Sequence, residues 1–347
     1  MTAAPLAFLD TATAVFAESA AAAGLRETDL LLADERVRLR FAGPALEPAL
    51  LRATEHLQVA VDPAAPVSLT VSVFDSATTG ARMPAPPWSQ DDYRPKGAIA
   101  GFNDDRVHTQ FEPGVDVLSL YDTERRAAVW WVSSPGIVPW WEPTFPLRTI
   151  LHWWCAATPR QPVHAGAVGR DGHGVLVTGR SGSGKTTTSL ACLRAGFDYA
   201  GDDYVLVDTA TPRVFCLYST AKLEPDNMAR FPEMVSWIDN PDRLTDEKAI
   251  VYLQDHCAAQ ITNELAVDAV VVPVVTGLAD STVAPLAPSA ALQALAPTTT
   301  FHLPGYGREV FTKLSGLVRA VPCFELRAGT DLHGVTDALD DLLETLR

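Results

Sequence analysis

The stretch "GRSGSGKT" (179–186) has residue types and spacing suited to binding phosphate. Gly179, Gly184, Lys185 and Thr186 satisfy the pattern GxxxxGK[ST] of phosphate-binding loops. Lys185 is expected to reach the β- and γ-phosphates, and the Thr186 hydroxyl to complete the coordination of Mg²⁺. The residues expected to bind the nucleotide are Gly179, Ser181, Gly182, Ser183, Gly184, Lys185, Thr186 and Thr187. The expected cofactors are ATP and Mg²⁺.

Two neighbouring carboxylates, Asp202 and Asp203, follow in "YAGDDYVLVD", one predicted helix after the loop. In motor-type nucleotidases the corresponding acid stands at the far end of an apolar strand, well downstream of the loop. Here the acids come before the strand. This order favours passing a phosphoryl group to an acceptor over hydrolysis that drives motion.

The segment from Val163 to Asp208 resembles the catalytic domain of bacterial HPr kinase/phosphorylase, whose fold is shared with phosphoenolpyruvate carboxykinases. The resemblance rests on His164 in a "VH" step, the loop itself, Gly196 at the end of the next helix, and Asp202-Asp203. The chain looks more like the stand-alone HPr kinase-like proteins. Some of these phosphorylate a serine of a peptide precursor, such as that of a lasso peptide, and some are thought to act on small hydroxyl compounds.

The resemblance implies a mechanism that agrees with the chemistry of phosphoryl transfer. The acceptor hydroxyl must lose its proton as its oxygen bonds to phosphorus, and Asp202 is expected to be the base. Asp203 is expected to help hold Mg²⁺ or its waters. His164 could donate to a phosphate or orient Asp202, or it could be a structural residue. The acceptor is expected to be a hydroxyl of a peptide, a protein or a small molecule.

Three further cations are candidates for contact with the transferring phosphoryl group: Lys222, Lys248 and Arg308. For each of them the alternative is an ordinary exposed side chain. A second function also fits the loop, namely a nucleotide-dependent switch or scaffold that has no phosphoryl acceptor.

The elements around these residues predict an α/β fold with two domains. Residues 1–160 are expected to form an α+β domain that could recognise the acceptor or a partner, and 161–347 the P-loop catalytic domain, with the boundary at "TPRQP". Short apolar strands such as "GVLVTG", "YVLVD" and "DAVVVPVV" alternate with helical patterns over 185–195, 288–296, 307–319 and 331–346. A helix is also predicted over 45–59.

The overall composition restricts the classes of partner and compartment. The formal charge of −15 makes nucleic acid and anionic lipid unfavourable partners, and favours a monomer or homodimer over the ring-like assemblies of the HPr kinases. Asp10 and Glu18 interrupt the apolar N-terminal run, so neither a signal peptide nor a membrane span is expected there. The five separated cysteines favour a reducing cytoplasm. In each of the three tryptophan pairs, one ring is expected in the core and the other over an interface or groove; the pairs are Trp130-Trp131, Trp140-Trp141 and Trp153-Trp154.

Overall fold

The computed structural model describes residues 3–58, 62, 64–112 and 114–347. The chain divides into two compact units, and the division falls between Ala157 and Thr158, at the start of the predicted connection. The first unit also contains the short segment His302–Tyr306. The second unit consists of Thr158–Phe301 and Gly307–Arg347. The mixed α/β character expected from the sequence is confirmed.

The first unit is built on a six-stranded sheet. Its strands are β1 (Leu25–Leu32), β2 (Glu35–Ala42), β3 (Val67–Asp75), β4 (Val107–Glu112), β5 (Val117–Asp122) and β6 (Ala127–Val132). Their order in space is β1-β2-β3-β6-β5-β4. The pairs β2/β3 and β3/β6 are parallel, and the others are antiparallel.

In the described residues, four helices accompany this sheet: α1 (Ala3–Ala23), α2 (Glu47–Leu51), α3 (Ser76–Thr79) and α4 (Arg148–Cys155). The helix predicted over 45–59 forms as α2 and a 3-10 turn, Arg52–Leu57, and its last residue lies outside the described residues.

Helix α1 is long and apolar enough to cross a membrane by length and composition alone. Its side chains Phe8, Leu9, Ala12 and Phe16 are buried in an apolar cluster that includes residues of the six-stranded sheet. Burial against the sheet therefore accounts for the apolar face of this helix.

The second unit contains eleven strands and five helices in its described residues. The strands are β7 (Arg160–Val163), β8 (Gly166–Arg170), β9 (His173–Val177), β10 (Asp198–Gly201), β11 (Val205–Asp208), β12 (Arg213–Cys216), β13 (Thr220–Leu223), β14 (Ala249–Tyr252), β15 (Glu264–Val275), β16 (Thr282–Pro285) and β17 (Cys323–Ala328). The helices are α5 (Lys185–Arg194), α6 (Gln254–Cys257), α7 (Pro288–His302), α8 (Gly307–Ala320) and α9 (Leu332–Leu346).

Nine of these strands form one sheet in the order β10-β8-β9-β15-β12-β11-β7, with β17 pairing with β15 and β16 with β17. Strand β9 is parallel to β15 and antiparallel to β8. Strands β13 and β14 form a separate antiparallel ribbon. Buried leucines of α5 and α9, including Leu190, Leu193 and Leu339, share a core with Val175 and Val177 of β9. This packing fixes both the strand that enters the predicted P-loop and the helix that follows it.

Candidate active site

The predicted P-loop connects β9 to α5, as the sequence pattern indicates. Gly179, Gly182 and Gly184 have φ angles of 151°, 77° and 101°, in the region that L-residues with a side chain rarely adopt. A Cβ at Gly179 would also lie 2.6 Å from the Ser183 hydroxyl oxygen. Glycine is therefore needed for the backbone course of this loop, which turns tightly into the first residue of α5.

Lys185 is buried and folds back over the loop that precedes it. Its Nζ donates to the carbonyl oxygens of Gly179 at 2.8 Å and Arg180 at 3.3 Å. Burial lowers the pKa of Lys185, although the charges of Asp203 and Asp202 oppose this. The ammonium group thus lies at the loop, where a phosphate oxygen could replace a carbonyl oxygen as its partner.

The other predicted loop residues differ in exposure. Ser181 and Gly182 are exposed, whereas Ser183, Gly184, Thr186 and Thr187 are partly buried. The Ser183 hydroxyl oxygen is buried and has no hydrogen-bond partner within the described part of the chain. The first N–H groups of an α-helix have no intrahelical acceptor, so the start of α5 offers donors to an anion.

Asp202 directly follows β10 and is almost fully buried, with 1% of its surface exposed. Neither carboxylate oxygen has a hydrogen-bond partner of ordinary geometry among the residues that the structure describes. The Thr186 hydroxyl is close enough to lower the pKa of Asp202 without completing such a bond. Burial, and next the charge of Asp203, outweigh this and raise the pKa of Asp202 to about 7.

Two glycines fix the position of the Asp202 backbone. Gly201 has a φ of 139°, and a Cβ there would lie 2.6 Å from Val205 Cγ1. A Cβ at Gly166 of β8 would lie 3.2 Å from Cα of Asp202 and would also clash with the Ser189 hydroxyl. The close approach of β8, α5 and the "GDD" turn therefore requires these residues to lack side chains.

Asp203 has different surroundings, because cationic or potentially cationic groups face both of its oxygens. Nε2 of His164 lies 2.9 Å from Oδ1, and Nζ of Lys222 lies 2.5 Å from Oδ2. Burial opposes ionisation of this carboxyl group. The charge of Lys222 and the hydrogen bond from His164 outweigh burial and hold the pKa of Asp203 well below its usual value.

One sequence-based alternative was that His164 orients Asp202. In the structure, the imidazole of His164 pairs with Asp203 instead. The imidazole stacks on Tyr204 at 5.3 Å between ring centroids. The backbone N–H of His164 donates to the hydroxyl oxygen of Thr299 on α7, 3.2 Å away. Thr299 was not predicted as a site residue, because nothing in its local sequence relates it to His164.

Lys222 reaches Asp203 from the β13–β14 ribbon, where it is opposite Ile250. The buried hydroxyl of Tyr199, on β10, donates to the carbonyl oxygen of Thr220 at 3.0 Å and ties the ribbon to the strand that leads into the carboxylates. Of the three cations singled out in the sequence, Lys222 is thus the one in direct contact with the acid pair.

Lys248 and Arg308 do not contact the acid pair. Lys248 forms an ion pair with Glu224 at 2.7 Å, although its charge contributes to the lowered pKa of Lys185. Arg308 is exposed in the first turn of α8, and its side chain forms no ion pair or hydrogen bond with another described residue. Neither side chain contacts Asp202 or Asp203.

The side chains at the acid pair fit the oxygen chemistry of Mg²⁺. The buried oxygens of Asp202 and the nearby Thr186 hydroxyl are hard donors. The structure describes no cluster of three or more His, Cys, Asp or Glu side chains able to hold a metal by themselves. Mg²⁺ in phosphoryl-transfer sites commonly uses one or two carboxylates together with substrate phosphates and water, so it does not need such a cluster.

Comparison with known proteins finds similarity among solved structures alone. No family model matches the chain, and no curated protein matches it either. Among solved structures, it is similar to the HPr(Ser) kinase/phosphatase from Coxiella burnetii, with 14% sequence identity and a TM-score of 0.29. The alignment covers 53% of this chain and 95% of that one.

Proposed function

We propose that the protein is an ATP- and Mg²⁺-dependent kinase that transfers the γ-phosphoryl group to a hydroxyl. The supporting observation is the Asp202 carboxylate, which is buried beside Thr186 of the P-loop with neither oxygen hydrogen-bonded to a described residue. A buried carboxylate without a partner is costly unless a ligand supplies one. An acceptor hydroxyl or a hydrated metal ion would do so at this position.

The phosphates of ATP would bind the backbone of the loop and the start of α5. Lys185 would exchange a carbonyl oxygen of Gly179 or Arg180 for phosphate oxygen. This exchange needs little movement because the ammonium group is already held at the loop. The positive φ angles of Gly179, Gly182 and Gly184 give the loop a course that lets its N–H groups face an anion.

In the transfer step, the acceptor oxygen would form a bond to the γ-phosphorus while the bond from that phosphorus to the β–γ bridging oxygen breaks. The acceptor proton would pass to the Asp202 carboxylate, and ADP would leave. Asp203 would hold His164 and Lys222 in place, and Lys222 would supply positive charge near the transferring group.

Thr186 and Asp203 would hold Mg²⁺, which when bound would neutralise negative charge on the phosphoryl oxygens. Direct ligation of Mg²⁺ by Asp203 stays a prediction, and it requires a change in the contacts of this carboxylate. Because Lys222 and His164 face its two oxygens, Asp203 would have to give up one of these contacts to bind the metal.

The type of kinase is a finer part of the same proposal. His164, the P-loop, Gly196 and Asp202-Asp203 favour an HPr kinase-like catalytic domain, related to phosphoenolpyruvate carboxykinases in fold. We further infer that the acceptor is a serine of a peptide or protein, or a small hydroxyl compound, and that the protein acts in the cytoplasm as a monomer or homodimer.

The proposal can be tested by following the fate of γ-³²P-labelled ATP with the purified full chain. The label would be offered to a serine peptide library and, separately, to a small-molecule extract, and phosphate release would be measured in parallel. Label on an acceptor that is lost in Asp202→Asn would support the kinase. Release of phosphate at the same rate with and without acceptors, and in Asp202→Asn, would favour the switch function instead. Failure to bind ATP would exclude both functions.

A further inference from the structure

The P-loop has different neighbours on its two sides within the nine-stranded sheet. Strand β9, which leads into the loop, pairs with β8 on one side and with β15 on the other. Strand β10 pairs with β8 and leads directly into Asp202. The carboxylates therefore lie towards the β8 side of the loop, and β15 borders its opposite side.

Strand β15 continues past the end of β9 and runs beside the P-loop. The N–H of Thr178, the first residue after β9, donates to the carbonyl oxygen of Val271 at 2.9 Å, and β15 extends four residues farther, to Val275. A Cβ placed on Gly184 would lie 3.5 Å from Cγ2 of Val275. The end of β15 therefore lies beside Gly184, the residue that directly precedes α5.

The end of β15 and the turn that follows it expose large apolar side chains, among them Val275 and Leu278. Val275 is 58% exposed and Leu278 is 68% exposed. Between them, the N–H and hydroxyl of Thr276 both donate to the carbonyl oxygen of Ala328, at 3.0 and 3.1 Å. The N–H of Thr330 donates to the carbonyl oxygen of Leu278 at 2.7 Å. The two side chains are thus presented by a hydrogen-bonded turn next to the loop.

We propose that Val275 and Leu278 form the surface on which the base of the bound nucleoside triphosphate packs. The proposal rests on the proposed function, which places the γ-phosphate near Asp202. A triphosphate in that orientation would run across the loop, so that its nucleoside end lies on the β15 side. The flat face of a purine and the two exposed side chains would be removed from water together, which stabilises the complex.

The test replaces both side chains by a neutral residue, so that repulsion of the phosphates is not introduced. In the full chain carrying Val275→Ser and Leu278→Ser, the Kd for ATP is expected to rise roughly tenfold, from the lost apolar burial. Inorganic tripolyphosphate, which has no base, should bind as it does to the wild-type protein. The control variant Phe311→Ser changes another exposed apolar residue of the second unit, on α8, and should leave both Kd values unchanged.

Three outcomes would overturn the assignment. Unchanged ATP affinity in the double variant would show that the base packs elsewhere. An equal loss of affinity for ATP and tripolyphosphate would show that the substitutions disturb the loop and not a base contact. If the wild-type protein binds neither ligand, the proposed function itself fails, which is distinguishable because the wild type alone shows it.

Discussion

The ammonium nitrogen of Lys222 lies 2.5 Å from Oδ2 of Asp203, and this pair connects the β13–β14 ribbon to the acid pair after β10. His164 approaches the other oxygen of the same carboxylate. Asp202, the adjacent residue, has no comparable ion pair among the described residues. Two neighbouring carboxylates of the same type are therefore placed for different tasks by the elements around them.

Lys222 and Asp203 are expected to act as a unit. Lys222→Met should lower phosphoryl transfer by roughly 10², a usual cost of removing one electrostatic stabiliser. Asp203→Asn should have a similar effect, because the cation loses its partner. The double variant should be no slower than the slower single variant, since coupled residues do not contribute additively. Rates for all four proteins give the coupling, and additive losses would contradict it.

Asp202→Asn separates nucleotide binding from transfer. The amide keeps the shape of the side chain but cannot take the acceptor proton. Transfer should therefore fall by roughly 10²–10⁴ while the Kd for ATP changes little. Titration calorimetry for ATP and a single-turnover measurement with labelled ATP supply the two quantities. Wild-type transfer in this variant would show that the "GDD" stretch is only a turn before a strand.

The Mg²⁺ requirement tests the prediction that Asp203 also ligates the metal. If Asp203 ligates Mg²⁺ after exchanging Lys222, Asp203→Asn should raise the Mg²⁺ concentration needed for half-maximal rate, because an amide is a poorer ligand for a hard cation. Lys222→Met should lower that concentration, since the competing cation is removed. A metal response that shifts only in Asp202→Asn would assign metal binding to Asp202 instead.

Lys185→Ala tests the P-loop itself. Among the described residues, the Nζ of Lys185 donates to two loop carbonyl oxygens, so its removal should change the free energy of unfolding by only about 1 kcal/mol. Nucleotide-dependent activity should nevertheless be lost. Thermal unfolding with and without ATP checks both points, because only the wild-type protein should be stabilised by the ligand. Unchanged transfer would exclude the phosphate-binding role.

The sequence predicts the parts of the site that depend on local pattern. The strand that enters the P-loop, its glycines and helix α5 all lie within one short stretch, in which residue type directly restricts the backbone. The same is true of the acid pair after β10. The contacts of Asp203 depend on long-range pairing instead. Lys222 comes from a ribbon held by Tyr199, and His164 from the end of β7.

Helix α7 shows a further limit of local pattern. The predicted helix stops at 296, before Pro297, but the structure continues it to His302. The hydroxyl of Thr300 donates to the carbonyl oxygen of Ala296, and that of Thr298 to the carbonyl oxygen of Leu295. These bonds satisfy carbonyl groups close to the proline. The continuation places Thr299 against the backbone of His164.

The tryptophan prediction is wrong for two of the three pairs. Trp130 and Trp131 are both buried, as are Trp153 and Trp154. Strand β6 lies inside the sheet, so successive side chains enter apolar surroundings on both faces, and Trp131 also donates to the Ser76 hydroxyl. Alternation predicts which face a side chain occupies, but tertiary packing decides whether that face is covered.

The first unit should show acid sensitivity that originates at His108. This imidazole is buried, and its Nε2 lies 2.7 Å from the hydroxyl of Tyr306, in the segment that returns to this unit. Burial lowers the pKa of His108 to about 4, against the opposing charges of Asp104 and Asp105. The neutral ring is therefore the folded form at pH 7, with Nε2 able to accept from Tyr306.

The sign of the pH effect follows from this depressed pKa. In the unfolded chain the imidazole gains a proton near its ordinary pKa of about 6.5, whereas the folded protein resists protonation until near pH 4. The stabilisation is complete above about pH 6.5 and is lost as the pH falls towards 4. By pH 5 the loss should be about 2 kcal/mol.

Urea unfolding followed by tryptophan fluorescence reports on this unit, because every tryptophan except Trp237 lies in it. In His108→Gln, the fall between pH 7.5 and 5 should be smaller by about that amount. An equal fall in both proteins would show that His108 is protonated in the folded state at pH 5, and the chemical shift of its ring proton would then titrate near pH 6.5.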